Sequence, residues 1–251
     1  MNKSLLYQTE LSKLADWDEY LIEYSNLPGP RANLELAQVV ARMGEKTLFL
    51  QYIQIKEIEA PKNSSGEFLP VCGTLGLGVL LTKSDFTVLP LLHELASDSR
   101  WRIRESVVLA LEIWGESNLN LFFNEMDQWM EGSFYEIRAA ICALCHPKFL
   151  RSEEKAIHTL NYLELIMNKL KESTSRKTED FRVLRLAMGY CWSVAVAAYP
   201  MLGKGLMERW IDIKDKDLLW IIKSNLNKNR LSRMDINWAN RLKGLIAPNS
   251  R

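Results

Sequence analysis

Residues 101–111, Trp-Arg-Ile-Arg-Glu-Ser-Val-Val-Leu-Ala-Leu, form a segment whose pattern returns three times further along the chain. The later segments begin at Tyr135, Arg182 and Trp220. When the four segments are aligned, each has a basic residue at the same position: Arg104, Arg138, Arg185 and Lys223. These basic residues follow one another at steps of 34, 47 and 38 positions. A period of about 40 residues is typical of HEAT-like helix pairs.

Two apolar columns accompany the basic column. The first column directly precedes the basic residue and consists of Ile103, Ile137, Leu184 and Ile222. The second lies four residues after the first and consists of Val107, Ile141, Met188 and Leu226. Residues four apart share one face of an α-helix, so both columns are expected to face a hydrophobic core.

These repeats predict an all-α fold. We expect a right-handed, armadillo-like α-solenoid of HEAT-like helix pairs that forms a single domain over residues 1–251, with the pairs clearest between 84 and 230. In such arrays the second helix of each pair lines a concave surface. A basic column on those helices would make the concave surface positive.

Capping residues predict where several helices begin. Ser133 and Glu136 form the sequence of a capping box. Thr178 and Asp215 are expected to cap the next two inner helices, and Asp235, together with Ser232, a terminal one. No segment has the alternation of a strand. The length of the chain accommodates about eleven or twelve helices of ordinary size.

The bulk composition describes an ordinary globular protein. The chain has 251 residues, of which 47% are hydrophobic and 25% charged, and its net charge is +1. The N-terminus lacks the apolar core of a signal peptide, and we identify no run near the roughly 18 apolar residues of a membrane span. The four cysteines lie in apolar helical stretches, as reduced thiols do. We therefore expect a cytoplasmic protein, monomeric and without membrane association.

Three motif-like features do not support the chemistry that they suggest. Cys142-Ala-Leu-Cys145-His146 has the letters of a haem attachment site, but covalent haem requires an exported chain. Gly73-Thr-Leu-Gly-Leu-Gly78 lacks the spacing of a phosphate loop, and its glycines are better suited to close helix contact. The three histidines are scattered, and no second cysteine pair exists for zinc. We expect no cofactor and no metal.

The candidate functional residues cluster around the first of the four segments. Trp101 and Glu105 are four positions apart and thus share one helix face. Three arginines surround them: Arg100, Arg102 and Arg104. If the helices stack as predicted, Arg138 lies beside this group and Tyr190 further along. Guanidinium groups hold phosphates, an aromatic ring attracts a cationic base, and a carboxylate opposes a developing positive charge.

At these residues the chain resembles the bacterial AlkD-type alkylpurine DNA glycosylases, a HEAT-like repeat family. The resemblance covers about residues 95–200. Trp101 and Glu105 match a motif of Trp and Asp in that family, with Glu in place of Asp. Arg138, followed by Ala-Ala-Ile, resembles a second motif. Residues 183–190, with Pro200 ten positions beyond, resemble a third motif in which Tyr here replaces Trp.

The resemblance implies excision of cationic N3- and N7-alkylpurines from double-stranded DNA without a metal. It implies catalytic roles for Glu105, Trp101, Arg138 and Tyr190. The remaining basic residues would contact the DNA backbone: Arg100, Arg102, Arg104, Arg185 and Lys223. Glu105 would stabilise the oxocarbenium-like sugar while the aromatic residues stack on the lesion.

Two other functions compete with base excision. The first is a DNA binder without catalysis, which uses the basic column alone. The second is a scaffold that binds a protein partner on the concave surface, which is favoured by the near-neutral charge and by eight tryptophans, residues that often anchor interfaces.

Overall fold

The computed structural model describes residues 3–246, and this part of the chain consists of helices and loops with no strand. The all-α prediction is therefore confirmed. Fifteen α-helices are present in it: α1 (Lys3–Leu11), α2 (Asp18–Glu23), α3 (Leu34–Met43), α4 (Lys46–Gln54), α5 (Phe68–Thr82), α6 (Leu89–Leu95), α7 (Trp101–Ser117), α8 (Leu119–Trp129), α9 (Phe134–Leu144), α10 (Glu153–Glu172), α11 (Glu179–Ala198), α12 (Pro200–Arg209), α13 (Lys216–Leu226), α14 (Asn229–Met234) and α15 (Ile236–Ile246).

Short helices explain why the observed number exceeds the eleven or twelve expected. Helices α2 and α14 have six residues each and α6 has seven. Such one-to-two-turn helices show too few periods of an apolar pattern to be recognised from sequence. Three short 3₁₀ segments complete the described helices: Ser65–Glu67, Phe86–Val88 and Phe149–Arg151.

The predicted caps are mostly present. Ser133 and Glu136 form a complete capping box at the start of α9. The Asp215 side chain accepts hydrogen bonds from two backbone N–H groups at the start of α13, and Asp235 accepts one at the start of α15. Thr178 occupies the position before α11, but its hydroxyl donates to the carbonyl of Ser175 and does not cap the helix. Ser232, which was grouped with Asp235, lies inside α14.

Both apolar columns face the interior, as predicted. All eight of their members are buried: Ile103, Val107, Ile137, Ile141, Leu184, Met188, Ile222 and Leu226. They lie on α7, α9, α11 and α13, the four helices that contain the repeated pattern. The sequence repeat thus corresponds to a repeated burial pattern.

The chain divides into two compact units, and the boundary between Phe122 and Phe123 falls inside α8. In the first unit, α5 is the central helix and contacts α3, α4 and α7. In the second unit, α11 is central and contacts α9, α10, α12 and α13. The single repeat domain expected over residues 1–251 stays a prediction.

Two helical segments of the described chain are long and apolar enough to cross a membrane by length and composition. They are Ser65–Thr82 and Glu179–Ala198, which are 78% and 56% buried inside the protein. The expectation that no run approaches a membrane span is corrected to that extent. Since these segments include α5 and α11, the central helices of the two units, their apolar character has an explanation in core packing.

Glycines in α5 allow its neighbours to approach closely, as the sequence suggested. A side chain at Gly76 would overlap the ring of Phe49 on α4, at distances of 2.4–2.5 Å. A Cβ atom at Gly78 would lie 2.5 Å from the carbonyl oxygen of Ala110 and 2.6 Å from its Cα, both on α7. Because the latter contact is with backbone, no side-chain rotation can relieve it.

Replacing Gly78 by alanine should therefore destabilise the protein even though alanine is the better helix former. We expect Gly78→Ala to lower the free energy of unfolding by about 1–3 kcal/mol, the usual cost of overpacking. Gly205→Ala is the matched control, since nothing lies within 4 Å of its added Cβ on α12. The free energy of unfolding of that variant should rise by about 0.4–1 kcal/mol. Urea unfolding would measure both, and equal stability of the two variants would contradict the close contact.

Candidate functional site

A cavity of about 510 Å³ opens in the first unit beside α7. Trp101 and Glu105, the predicted indole and carboxylate, both line this cavity. Its walls are mainly apolar and include Leu34, Val71, Val108 and Leu109. Volumes of 300–1,000 Å³ with apolar walls and a few polar groups are usual for small-ligand sites. We call it the Trp101 cavity.

Trp101 is available to a ligand. Its side chain is 38% exposed, and the guanidinium of Arg102 lies 4.4 Å from the ring centroid. Because Arg102 stacks on part of the indole, a ligand can contact only the part of the ring that remains exposed. Glu105, one helical turn further along α7, is exposed as well.

Arg102, which was predicted to contact phosphates, is largely buried at the wall of the Trp101 cavity. It is only 5% exposed and forms an ion pair with Glu67, Nη1 to Oε2 at 3.1 Å. Its Nη2 donates to the side chain of Asn63 at 3.0 Å and to the carbonyl of Gly29. Glu67, which is fully buried, also accepts from the backbone N–H of Asn63. Arg102 thereby joins two loops to α7.

Arg100 and Arg104, which were also predicted to contact DNA, are both buried. Arg100 is 1% exposed and donates to both carboxylate oxygens of Asp98 at 3.0 and 2.8 Å. Arg104 is 7% exposed and donates to the carbonyls of Asp98 and Ser99 at 2.7 and 3.1 Å. Both guanidinium groups therefore stabilise the loop that leads into α7.

Four ionisable side chains line the Trp101 cavity, namely Arg31, Arg102, Glu105 and Glu112. Arg102 is neutralised by Glu67, so it adds little to the potential. Glu105 and Glu112 supply two negative charges, and the exposed Arg31 on the loop between α2 and α3 supplies one positive charge. The wall of the cavity thus carries ionisable groups of both signs.

The other predicted residues lie in the second unit. Arg185 on α11 stacks on Trp220 at 3.9 Å, and its Nε lies 2.9 Å from an oxygen of Asp217. This contact is an ion pair and not a hydrogen bond, so the attraction is chiefly electrostatic. Because this partner is a carboxylate of its own unit, Arg185 fits a structural role better than the predicted DNA contact. Arg138 on α9 is half-buried, and Lys223 on α13 is exposed.

Asp217 belongs to a charged network at the start of α13. Nη1 of Arg176 lies 2.6 Å from Asp215 and 3.2 Å from Asp217. Burial raises the pKa of Asp215, but hydrogen bonds from Arg176 and from two backbone N–H groups outweigh burial and hold that pKa below its usual value. Asp215 is therefore ionised at neutral pH, and its contact with Arg176 anchors the 173–178 loop to α13.

Tyr190 on α11 is 44% exposed and stands among basic residues that the sequence interpretation did not single out. Nη2 of Arg230 donates to its hydroxyl at 2.7 Å, and the Arg230 guanidinium lies 4.8 Å from the ring centroid. Lys228 lies 5.6 Å from the same centroid. The available signal was a run of eleven residues, 223–233, with four basic side chains and no acidic one.

The structure thus brings Trp101 and Glu105 into one cavity and assigns Arg138, Arg185, Tyr190 and Lys223 to the other unit. No protein family, curated protein or solved structure with which the chain was compared matches it.

The buried ion pair beneath the Trp101 cavity gives a stability prediction. Arg102→Met should lower the free energy of unfolding by about 3–5 kcal/mol, because it leaves the Glu67 carboxylate buried without its cation. Lys56→Met is a suitable control, since Lys56 forms an exposed pair with Glu94 and should lose about 0–1 kcal/mol. Both would be measured by urea unfolding.

The double variant Arg102→Met/Glu67→Met separates charge from packing. Its free energy of unfolding should fall by less than the sum of the decreases in the two single variants, because no buried charge is left without a partner. Strict additivity would show that the two side chains act independently.

Proposed function

We propose that the first unit binds a flat cationic group in the Trp101 cavity, and that this group is an N-alkylated purine of double-stranded DNA. The observation that supports the proposal is the placement of an exposed indole and an exposed carboxylate, one helical turn apart, on the wall of one cavity. The resemblance of residues 95–200 to alkylpurine DNA glycosylases names the class of ligand.

The physical attraction for such a ligand has two parts. An aromatic face and a cation attract each other by about 0.5–2 kcal/mol. A carboxylate about 4 Å from a positive charge contributes ~4 kcal/mol at an effective dielectric constant of 20. The carboxylate is therefore the larger contribution, and in a transition state it would correspond to about a thousandfold in rate.

We propose that the reaction is cleavage of the N-glycosidic bond. A cationic alkylpurine takes both electrons of that bond and leaves as a neutral base, so no general acid is required. Positive charge then develops on the sugar, where Glu105 would stabilise it. Water adds to the anomeric carbon and releases a proton. The side chain of Trp101 would hold the base by stacking.

DNA contacts in this proposal differ from those first expected. Arg100, Arg102 and Arg104 are bound to groups of their own unit, so they are not used for phosphates. Arg31 is the exposed cation on the wall of the Trp101 cavity and is the residue that we assign to a backbone phosphate there.

The proposed architecture is a right-handed solenoid of HEAT-like helix pairs. In the first unit α5 contacts both α3 and α7, and in the second unit α11 contacts both α9 and α13, while α13 contacts α15. In a stack of helix pairs, each helix contacts the equivalent helix of the next pair, which is two helices further along the chain. The repeated burial of both apolar columns supports the same proposal.

The alternative of a protein-binding scaffold has less support than its eight tryptophans suggested. Five of them are buried in the structure: Trp114, Trp129, Trp192, Trp210 and Trp238. Those five are part of the core and cannot anchor a partner.

Release of 7-methylguanine from a methylated duplex tests the proposal. Wild-type protein should release the base, and Glu105→Gln should slow release by about a hundredfold to a thousandfold. Glu105→Asp should retain release, since it keeps the charge and restores the residue of the resembling family. Glu116→Gln, an exposed carboxylate of the same helix that does not line the cavity, should match wild type.

Two results would contradict the proposal. The catalytic role fails if wild type and Glu105→Gln release base at the same rate. The binding role fails if wild type binds methylated and unmethylated duplexes with equal affinity and Trp101→Ala leaves both affinities unchanged. Binding that discriminates without any release would identify a lesion binder without catalysis.

A further inference from the structure

A second cavity, of about 420 Å³, lies in the second unit where α13 is followed by α14. It is lined by the exposed ring of Tyr190, by three basic side chains and by two asparagines: Lys228, Arg230, Arg233, Asn227 and Asn229. We call the tyrosine and the three basic residues the Tyr190 cluster. Its chemistry is opposite to that of the Trp101 cavity, because it contains no carboxylate.

The positive charges of the Tyr190 cluster are not compensated within the described chain. Between residues 3 and 246, no carboxylate lies within ion-pair distance of Lys228, Arg230 or Arg233. Other arginines of the same unit do have such partners: Arg176, Arg185, Arg209 and Arg241. Three like charges around one cavity repel one another, and an anion bound among them would relieve that repulsion.

Arg230 also retains an unused donor. Its Nη2 is occupied by the Tyr190 hydroxyl at 2.7 Å, whereas its Nη1 is shielded from solvent and has no hydrogen-bond partner in the described part of the chain. A buried guanidinium nitrogen normally has an acceptor. A phosphate in the cavity would reach this nitrogen only if the Arg230 side chain turned, so Arg230 contributes chiefly its positive charge to the site.

Tyr190 adds an aromatic surface next to these donors. Its hydroxyl is fixed by Arg230, and the ring remains 44% exposed. A phosphate alone would not use an aromatic ring, whereas a nucleotide has both a phosphate and a base that stacks. The amides of Asn227 and Asn229 lie on the wall of the same cavity and can hydrogen-bond the sugar or the base edge.

We infer that the Tyr190 cluster binds the phosphate of a nucleotide, whose base stacks on Tyr190. The nucleotide is either free or part of a single strand, and the two sources have the same chemistry at this site. The inference rests on residues of the second unit alone and is independent of base excision in the first.

Binding assays with two probes test the inference. The probes are a fluorescein-labelled single-stranded 12-mer, followed by anisotropy, and adenosine monophosphate, followed by calorimetry, both with the full chain at low salt. We expect Lys228→Gln/Arg233→Gln and Tyr190→Ala each to weaken binding by about tenfold or more. Lys171→Gln/Lys177→Gln, which removes the same charge from exposed positions of the same unit, should leave affinity within about twofold.

The salt dependence identifies the phosphate contacts. Removing two contacts to a single strand should reduce the log–log slope of affinity against salt by about 1.4. If adenosine monophosphate competes with the 12-mer and binds at least as tightly, a single nucleotide satisfies the site and the ligand is a free nucleotide. If only the 12-mer binds, the ligand is a strand.

The inference is overturned if neither probe binds, or if the control double variant weakens binding as much as Lys228→Gln/Arg233→Gln. It is also overturned if Tyr190→Ala does not change the affinity for either probe, because a site that binds only the phosphate would explain that result. Glu105→Gln should not change binding of either probe, so failure of this inference is distinguishable from failure of base excision.

Discussion

The buried ion pair between Arg102 and Glu67 is the interaction on which the candidate site in the first unit depends. Neither side chain has appreciable access to water, so loss of either one would leave the other as a buried charge without its partner. Arg102 also binds the carbonyl of Gly29 and stacks on Trp101. The same side chain thus positions the loop at the cavity rim and one surface of the indole that a ligand would contact.

The apolar part of the fold was predictable because it is a local property. Residues such as Ile137 and Ile141 are one turn apart, and burial follows from that spacing alone. The positions of the basic residues in the repeat were predictable from the sequence, but the role of each residue was not. Arg104 of that column is buried and binds carbonyls of the loop just before it. Arg102 lies outside the column, and it differs from a surface arginine through its partner Glu67, which is 35 positions away. A sequence pattern does not show which carboxylate meets which guanidinium.

The candidate site was predictable to a similar extent. Spacing placed Trp101 and Glu105 on one face of α7, and both line the cavity. The contribution of Arg31 depends on how the loop after α2 folds back, which no periodicity encodes. Likewise, Tyr190 was recognised, but its contact with Arg230 spans 40 positions and arises from the packing of α11 against α14.

The glycine contact between α5 and α7 has a consequence for how the Trp101 cavity can change in evolution. Ala110 touches Gly78 through its backbone, while its neighbours Leu109 and Glu112 belong to the cavity wall. A larger residue at Gly78 would require Ala110 to move, and Ala110 lies on the stretch of α7 that carries Leu109 and Glu112. The shape of the cavity therefore depends on a contact in the core as well as on the residues that line its wall.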